Sequence, residues 1–167
     1  MNEIRTNMAA RVLGPEDGEI LAALGGVTNR FMIDAKDSGG HFALCEHRIP
    51  PRSLAAPLHL HTREDEYSFV LEGRMGALLG DQEVYGEAGD LIVKPRRQWH
   101  TFWNAGDGPL RLLEIIAPGG LEELFRSLSD FSAGPDPEKL AKLAESYGTQ
   151  TDFERTFPIV ERHNLKF

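Results

Sequence analysis

The sequence of 167 residues has a single cysteine, Cys45. One thiol cannot form an intrachain disulfide, and a scarcity of cysteine is typical of proteins in a reducing compartment. We therefore expect a cytoplasmic protein that is stabilised by its hydrophobic core, with Cys45 as a buried and unreactive thiol.

The sequence also lacks long apolar runs and an excess of positive charge. No stretch approaches the roughly 20 apolar residues that a membrane-spanning helix needs, and the first residues lack the apolar segment of a secretory signal. Eighteen Lys and Arg against 26 Asp and Glu give a formal net charge of -8. Such a charge is repelled by nucleic-acid phosphates and anionic lipids, so we expect neither nucleic acid nor a membrane as partner.

Short runs of β-branched and aromatic residues, separated by Gly, Pro, Asp and Asn, fill residues 19–117. This pattern predicts many short strands. Because the connections are too short for crossover helices, the strands should pair antiparallel in a sandwich or barrel. The predicted strands are 19–25, 27–35, 41–49, 57–61, 67–73, 74–80, 82–86, 90–94, 100–104 and 110–117.

Helical periodicity begins after Pro118. Four apolar residues from Leu121 to Leu128 recur at the spacing of one helical face, and a second such stripe runs from Leu140 to Tyr147, opened by Asp136 and Pro137. The sequence thus divides into N-terminal strands that join the barrel or a dimer interface, a barrel, two C-terminal helices and a tail without clear periodicity. The corresponding ranges are 1–40, 41–118, 119–148 and 149–167.

Three histidines and an acidic residue are spaced as metal ligands. His59 and His61 are two apart in a predicted strand and therefore share a face. Glu66 follows at the wrong parity for one continuous strand, so the chain must turn a corner, which would bring its carboxylate back toward the two imidazoles. Asp65 is the rival carboxylate, and His100 approaches from a neighbouring strand. This mixed N/O set suits one Fe, Mn, Ni, Co, Cu or Zn ion better than Ca or Mg.

These residues resemble the two sequence motifs of the cupin superfamily. The first motif is matched by the HxH pair, Glu66 and Gly73, and the second by Gly89, Pro95, His100 and Asn104. Two positions depart from the motifs, since Ser53 and Arg97 stand where glycines are usual. At Arg97, a turn that favours a positive φ is either accommodated by the arginine or replaced by a different turn.

The resemblance implies a cupin double-stranded β-helix, a jelly-roll barrel, with two C-terminal α-helices and one divalent transition metal per chain. It extends over about residues 40–130 and is similar in style to single-domain bacterial cupins of the quercetin 2,3-dioxygenase type. It implies His59, His61, Glu66 and His100 as metal ligands, Glu66 as acceptor of a substrate proton, and a homodimer.

Several reactions stay open on this resemblance, because cupins differ widely in function. The first expectation is a metal-dependent dioxygenase acting on a small aromatic or enol substrate. The alternatives are an isomerase or lyase acting on a small carboxylate or sugar-derived substrate, and a metal-containing small-molecule binding module without turnover.

The substrate pocket should be lined by inward-facing residues near these ligands. Arg97 either faces the pocket mouth or is solvated, and the two acids Glu46 and Glu114 either serve the site or occupy edge or outer positions. The histidines at 41, 47 and 163 have no matching partners and are expected to be structural. The candidate pocket residues are Ser68, Val70, Phe102, Arg97, Glu46 and Glu114.

Overall fold

The computed structural model describes residues 9–131 and 136–167, and within these ranges it contains eleven strands and three α-helices. The strands are β1 Glu19–Ala22, β2 Thr28–Ile33, β3 Ala43–Ile49, β4 Leu58–His61, β5 Asp65–Glu72, β6 Arg74–Leu79, β7 Gln82–Glu87, β8 Leu91–Lys94, β9 His100–Asn104, β10 Leu110–Ala117 and β11 Thr149–Asp152. The helices are α1 Glu122–Ser127, α2 Pro137–Ser146 and α3 Phe153–His163.

The strands form two antiparallel sheets. One has the order β1-β2-β3-β10-β5-β8 and the other β11-β4-β9-β6-β7. The neighbours in each sheet are non-consecutive at several places, as expected for a jelly roll rather than a simple meander. The all-β barrel with C-terminal helices that was predicted from the sequence is confirmed. Each of the ten predicted strands is present, the strands 100–104 and 110–117 with the predicted ends and the others with shifted ends.

Alternation along the strands separates the barrel interior from its surface. In β5, Ser68 and Val70 are fully buried, whereas Phe69 and Leu71 are 37% exposed on the opposite face. This is the parity predicted for a strand with one face in the core. The apolar half of the interior is closed by a cluster that includes Val70, Met75 and Leu112.

Helix α1 packs against the barrel through Leu121 and Leu124, which cluster with Ala43 and Ile116, and Leu143 of α2 packs against this cluster. Asp136 caps α2 by accepting a hydrogen bond from the backbone N–H of Lys139 at 3.1 Å. Both helices were predicted from their apolar stripes. Residues 132–135, between the two helices, lie outside the described residues.

The tail that the sequence left unplaced completes the second sheet. Strand β11 pairs antiparallel with β4, opposite His59 and His61, and α3 follows after a cap at Asp152. Helix α3 covers the outer face of β9, where His163 stacks on Trp103 with ring centroids 4.5 Å apart. The tail is therefore part of the barrel. Among the described residues, no helix has the length and apolarity needed to cross a bilayer.

Candidate metal centre

Four buried side chains from three strands converge inside the barrel. His59 and His61 project from β4, Glu66 from β5 and His100 from β9. Their ligand atoms all lie within 4.8 Å of one another. His59 is paired directly with His100 across the sheet, and the corner at residues 62–64 carries the chain to the opposing sheet, where Glu66 faces them. The four residues singled out by spacing are thus brought together.

Each imidazole is anchored through Nδ1. His59 Nδ1 donates to the carbonyl of Pro57 at 2.7 Å, and His100 Nδ1 donates to the carbonyl of Gln98 at 2.9 Å. His61 Nδ1 lies 2.9 Å from the hydroxyl of Thr149. These bonds leave Nε2 of each ring to face the common centre, which is the orientation that such hydrogen bonds impose on metal-binding histidines.

The residues present fit a transition-metal ion. His61 Nε2 is buried and has no hydrogen-bond partner in the part of the chain that the structure describes, which is unfavourable unless another group binds there. Glu66 Oε2 lies 3.1 Å from His100 Nε2 and 3.4 Å from His61 Nε2. Three nitrogens and a carboxylate are donors that Fe, Mn, Ni, Co, Cu and Zn accept.

Burial and neighbouring charge set the protonation of this cluster. Burial lowers the pKa of His59 well below its usual value, and it also lowers the pKa of His100. Burial raises the pKa of Glu66, but the positive charge of Lys94 and the adjacent His61 outweigh it and hold that pKa well below its ordinary range. His59 and His100 are therefore neutral imidazoles and Glu66 is an ionised carboxylate, the forms that bind metals.

Lys94, which the sequence analysis missed, connects Glu66 with a second buried acid. Its Nζ lies 3.2 Å from Glu66 Oε2 and 2.9 Å from Glu114 Oε2. Ser68 donates to the same Glu114 oxygen at 2.7 Å. Burial raises the pKa of Glu114 to about 7, aided by Glu66 and opposed by Lys94. A signal for Lys94 was present in the sequence, because the alternation in "LIVK" puts Lys94 on the same strand face as the apolar Ile92.

A cavity of about 80 Å³ opens beside the histidines. Its wall is mostly apolar and is built by the barrel and by side chains of the C-terminal helices. Within residues 9–131 and 136–167, no Lys or Arg contributes to the lining. The polar side chains that line it, apart from His59, His61 and Glu66, are Asn29, His47, Thr149 and Thr151.

The candidate pocket residues fall into three groups. Phe102 lines the cavity. Ser68, Val70 and Glu114 face the barrel interior without lining it. Arg97 and Glu46 lie elsewhere.

Arg97 is exposed and is not part of the cavity lining. It adopts the positive φ of 64° expected where glycine is usual, and its backbone N–H donates to the carbonyl of His61 at 2.7 Å. The side chain leaves the turn toward solvent, so the pocket-facing alternative is wrong for Arg97. Asp65, the rival carboxylate, instead pairs with Arg96 at 2.7 Å.

Glu46 is buried on the outer face of β3 and is bound by three arginines, so it does not serve the pocket. Arg30, Arg48 and Arg111 lie at 3.0, 3.1 and 2.9 Å from its oxygens. Burial raises the pKa of Glu46, but these hydrogen bonds outweigh it and lower the pKa overall. The strand alternation explains this position, because Cys45 and His47 on either side point inward.

His47 and Thr149 are cavity residues that the sequence analysis did not assign to the site. His47 was expected to be structural, yet it lies on the inner face of β3. Strand alternation puts His47 on the same face as Cys45 and Ile49 and could have indicated this position, but the sequence offered no matching ligand partner for His47. Thr149 carried no sequence signal, since its role depends on the pairing of β11 with β4.

Comparison with known proteins shows which family model and which solved structures this chain is similar to. Residues 45–116 match the family model of the Cupin domain. The structure of KdgF from Halomonas sp. superposes with a TM-score of 0.60 and 13% identity, covering 69% of this chain and 99% of the other. A predicted oxalate decarboxylase from Thermotoga maritima gives 0.59 and 21%, covering 65% and 99%. A cupin sugar phosphate isomerase from Silicibacter pomeroyi gives 0.56 and 21%, covering 64% and 75%.

The chain therefore has the barrel fold of these structures, residues 45–116 match the Cupin domain model, and the barrel holds a buried cluster of three histidines and one glutamate. Because these identities are below 25%, the structural likeness establishes the fold and not the reaction. No curated protein sequence matches the chain.

Proposed function

We propose that this protein is a metal-dependent dioxygenase that acts on a small aromatic or enol substrate bound in the barrel cavity. The observation that carries the proposal is the cavity itself: a mostly apolar wall, without Lys or Arg among its described lining residues, that opens onto His59, His61 and Glu66. An apolar cavity with few polar groups is the usual form of a site for small organic ligands.

The metal would be held by His59, His61, His100 and Glu66. A divalent transition metal bound there supplies Lewis-acid polarisation of a substrate oxygen and, for redox-active ions, reactivity toward dioxygen. The Nδ1 hydrogen bonds fix the imidazoles before binding, so little reorganisation is needed. Phe102 provides an aromatic wall for the substrate body.

Glu66 is the candidate proton acceptor. The carboxylate is ionised, because Lys94 and the histidines lower its pKa, and it lines the cavity. A substrate hydroxyl in the cavity would lie within reach of this carboxylate, which then accepts the proton as the enolate or phenolate forms. Lys94 keeps the carboxylate in place through its 3.2 Å contact.

The cavity disfavours the alternative of an isomerase or lyase acting on a carboxylate or sugar-derived substrate. Such an anionic or strongly hydrated substrate would leave water for an apolar wall whose described residues offer no cationic side chain. Arg97, the residue that would have favoured this alternative, points to solvent.

Metal binding is tested first. We expect protein expressed with Fe, Mn or Ni to contain one ion per chain, measured by elemental analysis. His61→Ala should lose most of the ion while retaining the barrel, as judged by circular dichroism. His41→Ala is the matched control, because His41 is exposed and lies outside the cluster. Unchanged metal content in His61→Ala would reject this ligand set.

The reaction is tested by oxygen uptake of the metal-loaded protein with flavonols, catechols and diketones. We expect consumption of oxygen with at least one of these classes, and its loss in His61→Ala. Absence of uptake with every class and metal would reject the dioxygenase. Conversion of a carboxylate or sugar-derived substrate without oxygen consumption would then support the isomerase or lyase. Binding of a ligand without conversion would support the binding module.

A further inference from the structure

Two polar side chains face the cavity from strands that carry none of the metal ligands. Asn29 of β2 and His47 of β3 stand directly opposite each other in the strand register. Both line the cavity and are buried, with 2% and 6% of their surface exposed. His47 Nδ1 lies 2.7 Å from Asn29 Oδ1. An amide oxygen only accepts, so this contact requires His47 to donate through Nδ1.

That hydrogen bond leaves the amide NH2 of Asn29 available as a donor and Nε2 of His47 available as an acceptor. In the described ranges of the chain, neither the Asn29 amide nitrogen nor His47 Nε2 has a hydrogen-bond partner; Nε2 approaches Glu114 Oε2 only to 4.0 Å. Buried polar groups in folded proteins are normally paired. Since both residues line the cavity, a ligand that enters it can supply the missing partners.

The His47 ring is held in place by aromatic neighbours. Its centroid lies 5.3 Å from that of Phe125, edge to face, and 6.1 Å from that of Phe102. Both phenylalanines also line the cavity. The polar pair is thus fixed at a defined place in an apolar wall, which is how small-molecule sites orient their ligands.

The pair is electrically neutral and so selects a neutral partner. Burial and the positive charge of Lys94 lower the pKa of His47 to about 4, and the groups around it include the acids Glu66, Glu46 and Glu114. No Lys or Arg belongs to the described part of the cavity wall. A carboxylate or phosphate would therefore be buried without a counter-charge, which is strongly unfavourable.

We propose that Asn29 and His47 form a second polar subsite, which binds an uncharged carbonyl or hydroxyl substituent of the substrate, remote from the group held at the metal-ligand cluster. The Asn29 amide donates to this substituent, and His47 Nε2 accepts from it when it is a hydroxyl. This subsite rests on the proposed function and narrows its substrate class to molecules that carry an uncharged polar substituent in addition to the group held at the metal-ligand cluster.

The test compares two catechols that differ only at the far end. We titrate 3,4-dihydroxyacetophenone, which has a carbonyl opposite its hydroxyls, and 4-methylcatechol, which has none, into the cobalt(II)-loaded full-length protein under nitrogen. Calorimetry measures the affinity. We expect the carbonyl compound to bind about 10-fold more tightly, as one buried hydrogen bond predicts.

Two variants remove the donor in different ways. Asn29→Asp keeps the size and the acceptor for His47 but has no N–H, and Asn29→Leu removes both polar atoms. In each variant that retains metal and a cooperative unfolding transition, the preference should fall to less than about 2-fold, as expected once the hydrogen bond is gone, while the affinity for 4-methylcatechol changes little. Thr151→Val is the control, because Thr151 lines the cavity outside the pair and should leave the preference intact.

Equal affinity of the wild-type protein for both compounds, failure to bind either, or a preference that survives in both variants would overturn the subsite. The titration measures binding without oxygen, so it is separate from the proposed reaction. If the preference is lost in the variants but the wild-type protein consumes no oxygen, the subsite is supported and the dioxygenase is rejected.

Discussion

Lys94 and Glu66 form a buried ion pair on adjacent strands, opposite each other in the register of β8 and β5, with Nζ 3.2 Å from Oε2. The same ammonium group contacts Glu114, so one cation lies between two buried carboxylates. It also lies 4.3 Å from the centroid of the Phe102 ring. The pair joins the candidate ligand carboxylate to the polar interior of the barrel and to the aromatic wall of the cavity.

Replacement of Lys94 by Met should destabilise the metal-free protein. The variant leaves Glu66 and Glu114 buried without their cation, and removal of one partner of a buried pair costs about 3–5 kcal/mol. The measurement is urea unfolding in the presence of a chelator. Lys36→Met is the control, because Lys36 is exposed in its contact with Asp34 and should cost less than about 1 kcal/mol. Equal stability of the two variants would contradict this role of Lys94.

Thr149→Val should weaken metal binding with little effect on the fold. Valine has the shape of threonine but cannot partner His61 Nδ1, which now lies 2.9 Å from the hydroxyl. Loss of a hydrogen bond that supports a metal-binding histidine typically lowers metal affinity about 10- to 100-fold. Competition with a chromogenic chelator measures the affinity. Thr151→Val, on the same strand, should retain wild-type affinity; a matching loss in that variant would assign the effect to the strand and not to the hydroxyl.

The buried groups His47 and Glu114 should give opposite pH dependences of stability. The pKa of His47 falls from 6.5 to about 4 on folding, so between these values the unfolded state binds more protons and stability rises with pH. The pKa of Glu114 rises from 4.5 to about 7, so between those values the folded state binds more protons and stability falls with pH.

Variants separate these two contributions. From about pH 4.5 to about 6.5, each of the two groups binds a different number of protons in the folded and in the unfolded state. In this range, the stability of the metal-free Glu114→Gln protein should increase with pH more steeply than that of the wild type. The reason is that the contribution of His47 is no longer opposed. His47→Gln should shift the slope in the negative direction. Thermal unfolding in buffers of constant ionic strength measures both. Parallel pH profiles of the two variants would show that these groups do not titrate as their burial requires.

Glu46→Gln should reduce stability and leave metal content unchanged. The amide removes the negative charge that three arginines surround on the outer face of β3, and breaking a buried charge cluster costs about 3 kcal/mol. Urea unfolding and elemental analysis are the two measurements. Loss of the metal from a folded Glu46→Gln protein would instead indicate that Glu46 contributes to metal binding.

The homodimer stays a prediction. Strand β1 is an edge of the six-stranded sheet, so residues 19–34 have an available edge for pairing with a second copy. We expect light scattering to give a mass twice the 18.6 kDa of one chain. A monomer mass at micromolar concentration would reject the two-fold assembly.

The presence of the strands and the four candidate ligands could be predicted from patterns among residues that are close in the sequence. The two-residue period of strands put His59 and His61 on one face, and broken parity required a corner before Glu66. These are properties of neighbouring residues along the chain, and the structure agrees because one face of each strand must be buried. The positive φ at Arg97 has a different origin, since it was expected from the resemblance, whose motif usually has glycine at that position.

The sequence by itself determined the antiparallel strands, the two helical stripes and the residue types that could hold a metal. Only the tertiary structure decided that Lys94 connects Glu66 and Glu114 and that Thr149 anchors His61. The physical reason is that these contacts join residues 20 to 88 positions apart. Their partners are set by the order and register of strands across two sheets, which no local period encodes.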